Sequence, residues 1–141
     1  LGDEPEMLVG DLCRRFSKAS LRPGASTFEK SVSAAVDFVE QPETRFPLPL
    51  DVRGTLFQQR VWKALRGVKP GERVTYTALA ERLGTPRSVR AVASACAANP
   101  AAVAIPCHRV VRADGSLAGY RWGLERKRTL LARERERSAA P

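Results

Sequence analysis

The sequence predicts a mostly α-helical protein with one short β-hairpin and a helix-turn-helix. Apolar residues recur at helical spacing in several segments, including 27–40. Two further helical segments, about 76–83 and 86–98, are separated only by a short turn that contains Gly84. The length of 141 residues suits one domain, or one domain with a small appendage.

The N-terminal part predicts two helices followed by an extended linker. A short helix is expected over 5–16, and an amphipathic helix over 27–40. The apolar face of the second helix comprises Phe28, Val32, Ala35, Val36 and Val39. The linker covers 41–50. It is expected to be extended, because proline removes hydrogen-bond donors and disfavours helix in its neighbours. Its prolines are Pro42, Pro47 and Pro49. Two helices make too small a core, so this part either leans on the second part or has lost a neighbour.

The second part begins with a capping-box pattern, Thr55 followed by Gln58, which predicts the start of a helix. Its expected inward face comprises Phe57, Val61 and Leu65. The helix-turn-helix follows. Farther on, Val110-Val111 and Ser116-Leu117 flank the turn signal Asp114-Gly115, which indicates the hairpin. A last helix is expected over 123–135.

The charge is concentrated in the second part of the chain. Residues 1–50 carry 6 basic and 8 acidic side chains, whereas residues 51–141 carry 18 and 7, a net of +11. This excess favours a polyanionic partner, above all nucleic acid. The helix over 86–98 carries Arg87 and Arg90 among many alanines, and small side chains allow close approach to DNA. Two alternatives remain. The basic surface could serve only solubility, and the small side chains could serve only to pack this helix against the first helix of the pair.

Several classes of protein are not expected from this sequence. No apolar run approaches the roughly 20 residues that span a bilayer. The acidic N-terminus lacks the apolar stretch of a signal peptide, which predicts a cytoplasmic protein. Three widely spaced cysteines, Cys13, Cys96 and Cys107, argue against a disulfide scaffold. They also lack the paired spacing of a zinc site, so no metal and no cofactor are expected.

Cys107 is the candidate nucleophile. Cationic neighbours, His108 and Arg109, lower the pKa of a thiol and raise its thiolate fraction. His108 is the one histidine of the chain, so it is the candidate imidazole base. Glu134 shares the inward face of the last helix and could orient it, or it could lie frayed in solvent. Most cysteines are buried packing residues, and this is the interpretation for Cys13 and Cys96.

The run Ile105-Pro106-Cys107-His108-Arg109-Val110-Val111 resembles the active-site signature of the O6-alkylguanine-DNA alkyltransferases. The resemblance covers about residues 50–136 and is strongest to the C-terminal half of the bacterial adaptive-response alkyltransferases. Further matching strings are Phe57-Gln58-Gln59-Arg60-Val61-Trp62, Thr75-Tyr76, Arg90-Ala91-Val92, Asn99, Gly119-Tyr120-Arg121-Trp122-Gly123 and Arg126-Lys127.

The resemblance implies catalytic roles for five side chains. Cys107 would take the alkyl group, His108 would act as base through a water molecule, and Glu134 would hold the imidazole. Tyr76 would hydrogen-bond the guanine and help to protonate it as it leaves. Lys127 would help to polarise the O6 side of the base.

The resemblance also implies a set of residues for DNA and the flipped base. Arg90 would enter the base stack in place of the extruded nucleotide, and Ala91 would allow close approach to the minor groove. Asn99 would link the recognition helix to the active-site segment. Val110 would bind the base through its carbonyl, and Tyr120 and the backbone of Arg121 would lie near O6. Arg109 is the last residue assigned to this set.

The function implied by the resemblance is irreversible, stoichiometric transfer of a methyl or alkyl group from O6-alkylguanine in DNA to Cys107, with O4-alkylthymine as a further candidate. The implied partner is double-stranded DNA, bound by a monomer in the bacterial cytoplasm at the nucleoid. Residues 1–47 would be the remnant of a ribonuclease-H-like N-terminal domain. Residues 48–141 would form the winged-helix-like C-terminal domain for DNA binding and alkyl transfer.

Two other functions stay open at this point. A non-catalytic helix-turn-helix module could bind DNA lesions or regulate transcription without reaction at Cys107. A Cys–His hydrolase on a different fold would turn over an acyl substrate without any need for Arg90 or Tyr76.

Overall fold

The computed structural model of the chain describes residues 2–24, 26–41 and 46–138, and these form a mostly helical protein. The α-helices within these ranges are α1 (Pro5–Arg15), α2 (Ser26–Glu40), α3 (Leu56–Leu65), α4 (Tyr76–Arg82), α5 (Val89–Ala97) and α6 (Leu124–Ser138). Two short strands, β1 (Val74–Thr75) and β2 (Val110–Val111), and two 3₁₀ turns, Pro86–Ser88 and Cys107–Arg109, complete the fold. The predicted mostly α-helical class is confirmed.

The main core lies between α3, α4 and α5. Val61 and Leu65 on α3, both with no exposed surface, pack in one cluster with residues of α4 and α5, including Leu79 and Val92. The Trp62 indole N–H, also buried, donates to the Ala95 carbonyl at 2.8 Å. α3 begins where the sequence predicts, because Thr55 and Gln58 form the full capping box.

The helix-turn-helix forms, but its second helix begins later than predicted. Gly84 has φ +70°, a left-handed conformation that side chains with a Cβ rarely adopt, and it ends α4. Pro86–Ser88 then forms a 3₁₀ turn, closed by the Ser88 amide donating to the Thr85 carbonyl at 2.9 Å. α5 starts only after this turn, at Val89.

The predicted β-hairpin is wrong. β2 pairs in parallel with β1, with Val74 opposite Val110 and Thr75 opposite Val111. The turn that the sequence indicates does form, since the Arg112 amide donates to the Ser116 carbonyl, yet no second strand follows it. The physical reason is burial: both residues of β2 are buried, which favours an interior parallel partner over a solvated hairpin.

A second, smaller cluster attaches α2 to the rest of the protein. Phe38 packs with Val103 and Leu130, and Phe46 meets the Phe38 ring edge-on with centroids 5.1 Å apart. Val103 has φ +69°, a strained conformation for a β-branched residue, and it lies shortly before Cys107. This cluster therefore holds the segment that leads into the cysteine.

The apolar face predicted for α2 is largely solvent-exposed. Phe28, Val32 and Val36 are 58%, 44% and 49% exposed, because α2 reaches the core through its C-terminal end at Phe38. Of the linker prolines, Pro42 lies outside the described residues.

α1 buries none of its residues and is joined to the rest by charge. Asp11 pairs with Arg121 at 3.2 Å, and Asp3 pairs with Arg126. The interpretation of Cys13 as a packing residue is wrong, since this thiol is exposed on α1. Cys96, by contrast, is buried in the main core as predicted. None of the helices in the described ranges is long and apolar enough to cross a membrane.

A pair of leucines on α3 tests the core. We expect Leu65→Ala to lower the free energy of unfolding by about 2–5 kcal/mol, because it leaves a cavity in a fully buried site. Leu56→Ala is the matched control: this leucine is 82% exposed, so we expect a change within about 0.5 kcal/mol. Urea unfolding followed by tryptophan fluorescence measures both. Equal effects of the two substitutions would contradict the assigned core.

Candidate active site

Cys107 opens a 3₁₀ turn between Pro106 and β2, and its side chain is buried. The Asn99 side-chain amide donates to the Cys107 Sγ at 3.1 Å and to the Ile105 carbonyl at 2.8 Å. The Asn99 Oδ1 accepts from the Ala101 amide at 3.0 Å. Asn99 lies two positions beyond the end of α5, so this one buried side chain joins the second helix of the helix-turn-helix to the cysteine.

His108 lies beside Cys107 with no exposed surface. Its Nε2 is 2.8 Å from the Glu134 Oε1, whereas its Nδ1 has no hydrogen-bond partner among the described residues. Burial lowers the pKa of His108 below its ordinary 6.5, although Glu134 acts in the opposite direction. The imidazole is therefore neutral at physiological pH, with the Nδ1 lone pair open when Nε2 carries the proton.

Glu134 is buried on α6, so the alternative that it lies in solvent is wrong. Burial by itself would raise the pKa of this carboxyl group. Hydrogen bonds from His108 and Arg109 outweigh that effect and lower the pKa to about 2. The prediction that a carboxylate on the inward face needs a partner is confirmed by these two contacts.

Arg109 is not placed to bind DNA in this structure, contrary to the sequence-based assignment. It is 4% exposed, and its Nη2 donates to the Glu134 Oε1 at 2.8 Å. Its Nη1 donates to the Val68 carbonyl at 2.5 Å. The guanidinium turns inward because the buried Glu134 carboxylate requires a counter-charge.

The expected depression of the Cys107 pKa is also wrong. Burial raises the pKa of this thiol, and the opposing influences are the hydrogen bond from Asn99 and the charge of Lys127. The charge of Arg109 is already neutralised by Glu134. The resting thiol is therefore protonated at neutral pH and needs a base before it can act as a nucleophile.

Lys127 is a second fully buried cation, on α6. Its Nζ donates to the Val110 carbonyl at 2.6 Å and to the Ala118 carbonyl at 3.3 Å. Burial lowers the pKa of Lys127. The ammonium thus fixes β2 and the loop after it next to Cys107.

Two tyrosines pack against the cluster that contains Cys107. Burial and the nearby thiols of Cys96 and Cys107 raise the pKa of Tyr76 to about 12. Burial and Cys107 likewise raise the pKa of Tyr120, whose hydroxyl has no partner among the described residues. Both phenols are therefore protonated donors at neutral pH, and that of Tyr120 is free to bind a ligand.

The other predicted DNA residues lie outside this cluster. Arg90 and Ala91 are exposed on α5. The exposed face of the helix continues through Ser94, Ala97 and Ala98. Arg121 is also exposed; its guanidinium is 5.8 Å from the Trp122 ring centroid and pairs with Asp11. α5 thus presents a smooth surface of small side chains with an arginine at its start.

Two contributors to the site carry no side-chain signal in the sequence. The Val68 carbonyl accepts from Arg109, and the Gly71 amide donates to the Glu134 Oε2 at 3.3 Å. Both act through backbone atoms, so only the Pro70-Gly71 turn was detectable. Within the described ranges, no group of three or more His, Cys, Asp and Glu side chains could hold a metal ion.

Comparison with known proteins places these residues in a family context. The family model described as "6-O-methylguanine DNA methyltransferase, DNA binding domain" matches residues 56–136. The Escherichia coli (strain K12) protein named "Bifunctional transcriptional activator/DNA repair enzyme Ada" is 52% identical over 136 residues. That alignment covers 96% of this chain and 38% of the relative. The chain therefore spans well under half of the length of this relative.

Solved structures agree with the sequence comparisons. The O6-methylguanine methyltransferase of Mycobacterium tuberculosis is similar with a TM-score of 0.76 and 42% identity, over 91% of this chain and 75% of that one. A structure described as the M. tuberculosis protein "OGT in complex with DNA" has a TM-score of 0.73 and 44% identity. This similarity covers 78% of the present chain and 68% of the chain in that structure.

The buried carboxylate predicts acid sensitivity. The folded chain holds the Glu134 pKa at about 2 and the His108 pKa below 6.5, so the unfolded chain binds more protons as the pH falls. We expect stability to decline below pH 6.5 and more steeply below 4.5. Glu134→Gln should cost about 3–5 kcal/mol at pH 7, because it removes the counter-charge of buried Arg109, and should flatten the decline at low pH.

Urea unfolding at a series of pH values measures this effect. The control is Glu136→Gln, an exposed position on the same helix, for which we expect little change. Equal losses for the two variants at pH 7 would overturn the assignment of Glu134 as a buried counter-charge.

Proposed function

Because the chain belongs to the 6-O-methylguanine DNA methyltransferase family, we propose that it repairs alkylated DNA by direct reversal. It would act as a methylated-DNA–protein-cysteine methyltransferase, which moves a methyl or alkyl group from O6 of guanine to its own Cys107. Double-stranded DNA that carries O6-alkylguanine is the proposed substrate, with O4-alkylthymine as a further candidate.

One observation carries this proposal. A buried thiol lies next to a neutral imidazole whose Nδ1 has no partner within the described part of the chain. The hydroxyl of Tyr120, which packs against the same cluster, has none there either. Buried polar atoms are nearly always hydrogen-bonded, so two open ones near a nucleophile indicate places for a water molecule and a ligand. The helix-turn-helix with its exposed arginine adjoins this site through Asn99.

The first chemical step is removal of the thiol proton. His108 accepts the Cys107 proton at Nδ1 through one water molecule, and Glu134 stabilises the resulting imidazolium through Nε2. Asn99 remains hydrogen-bonded to the Sγ and stabilises the developing thiolate.

The second step is displacement at the alkyl carbon. The Sγ–C bond forms as the C–O6 bond breaks, and the electron pair of that bond stays on the guanine. Tyr76, which is held protonated by its raised pKa, donates a hydrogen bond to the leaving base. The guanine anion then takes a proton from Tyr76, and the His108 imidazolium returns a proton to Tyr76 by way of water. Over the whole reaction, the thiol proton replaces the alkyl group on guanine. The thioether is stable, so each molecule reacts once.

Access to the alkyl group requires that the nucleotide leave the stack, since O6 lies inside the duplex. We propose that α5 enters the minor groove, where Ala91 and its small neighbours permit close approach. Arg90 would fill the vacated space and offset part of the unstacking cost. The Val110 carbonyl and Tyr120 would bind the flipped base, and the backbone of Arg121 would lie nearby. The protein would act as a monomer at the bacterial nucleoid.

We also propose how the functions are divided between two parts of the chain. Residues 48–141 would hold the DNA-binding and alkyl-transfer functions. Residues 1–47 would be a remnant of a ribonuclease-H-like domain that contributes mainly through Phe38.

A second candidate function is a non-catalytic binder of DNA lesions. The observation that favours it is the burial of Cys107, which raises the thiol pKa and limits access. This function requires the same surface on α5 but no alkyl transfer.

Intact-mass measurement after incubation with an O6-methylguanine duplex tests the proposed function. We expect a single added methyl group, located on Cys107 by peptide mapping. Cys107→Ala should gain no methyl group while its Kd for the duplex stays within about twofold, because the thiol makes no phosphate contact. Cys13→Ser is the control, since this exposed thiol should be dispensable.

Each other outcome has a defined meaning. DNA binding without any mass change in the wild-type protein would support the non-catalytic binder. A methyl group on another residue would refute the assignment of Cys107.

Arg90→Ala tests the proposed intercalation. We expect single-turnover repair of duplex DNA to slow by roughly tenfold or more, because the variant loses the group that offsets unstacking. Reaction with free O6-methylguanine base should be nearly unchanged. Arg87→Ala, at an exposed position one turn earlier, is the control. If Arg90→Ala slowed the reactions with duplex DNA and with the free base equally, the intercalation proposal would be refuted.

A further inference from the structure

Arg109 is a buried cation that the proposed mechanism leaves without a task. Its Nε lies 3.1 Å from both oxygens of Glu134, and its Nη2 lies 2.8 Å from the Oε1. The His108 Nε2 lies 2.8 Å from that same Oε1. One carboxylate is therefore shared by an arginine and a histidine, all three almost fully buried.

Because Glu134 is shared between Arg109 and His108, the neutral form of the histidine is favoured over the imidazolium. A histidine paired alone with a buried carboxylate gains from becoming an imidazolium, because two opposite charges then neutralise each other. Here Arg109 already supplies the positive charge, and a guanidinium does not lose its proton in proteins. A second positive charge on His108 would face this guanidinium across the same oxygen.

The surroundings of His108 point the same way. The charged groups that face it are Glu134 and Lys127 from α6 and Arg109 from its own turn. Both cations disfavour an imidazolium, and so does burial, whereas Glu134 favours it. The Arg109 fork is itself fixed at its far end by the Val68 carbonyl.

We propose that Arg109 is a positioning residue that holds Glu134 as the acceptor for the Nε2–H of His108 and keeps the imidazole neutral, with its Nδ1 lone pair directed away from the carboxylate. This inference rests on the proposed function, in which that lone pair receives the Cys107 proton. Arg109 acts through Glu134 and His108 and does not touch substrate.

The single histidine of the chain makes the protonation state directly measurable. In ¹⁵N-labelled protein, every imidazole signal in the NMR spectrum belongs to His108. We expect the wild-type protein to show a neutral ring with the proton on Nε2 at pH 7. An imidazolium, or a proton on Nδ1, in the wild-type protein at pH 7 would overturn the proposal without any variant.

Arg109→Gln supplies the decisive comparison. Loss of the guanidinium should raise the His108 pKa by about one unit or more, since a neighbouring like charge shifts a pKa by that order. Arg112→Gln is the matched control, because it removes the same charge from an exposed residue three positions along the chain. An unchanged His108 titration in a folded Arg109→Gln variant would refute the inference.

Arg109→Lys covers the case in which the glutamine variant fails to fold. Lysine keeps the charge but lacks the two-pronged geometry of arginine, so we expect a smaller rise of the His108 pKa. A lysine variant with a titration identical to that of the wild type would show that charge alone suffices, and it would overturn the positioning role.

Single-turnover methyl transfer links this state to reactivity. In Arg109→Gln, the acid limb of the pH–rate profile should move to higher pH by the same shift that NMR records. A merely structural role would lower the rate equally at every pH. If the wild-type protein transfers no methyl group, the proposed function fails, while the NMR titration still decides the role of Arg109.

Discussion

The shared hydrogen bonding of the Glu134 carboxylate is the interaction on which the site depends. It joins α6 to the turn that contains Cys107 through His108 and Arg109, and to the loop between α3 and β1 through the Gly71 amide. A buried carboxylate is costly unless its lone pairs are satisfied. The same contacts that satisfy this carboxylate also fix the orientation of the imidazole and of the turn that begins with Cys107.

Burial of the site determines the resting protonation state of its cysteine. The Cys107 thiol is protonated, because burial outweighs the nearby donor and cation. Under the proposed function each molecule reacts once, so a thiol that stays protonated until a ligand is bound would be an advantage. Under the proposed function, the open Nδ1 of His108 would take part in proton transfer and the open hydroxyl of Tyr120 would bind a ligand.

The helices, and the side chains that the structure brings together around Cys107, were largely predictable. The capping box at Thr55, the turn at Gly84 and the strings around Cys107 act locally, and local chemistry is written in adjacent residues. The errors concern contacts between distant segments. β2 pairs with β1 and not with a hairpin partner, and the apolar face of α2 is mostly exposed.

The sequence alone determined the helical class, the helix-turn-helix and the cysteine, histidine and glutamate that form the site. Only the tertiary structure decided which charges are buried. Arg109 resembles a DNA-binding cation in the sequence, yet the fold turns it inward to Glu134, which lies 25 positions farther along the chain. The pKa of the Cys107 thiol was likewise decided by the fold, because burial raises it. Burial and long-range pairing depend on how helices pack, and residue order near a side chain does not specify that packing.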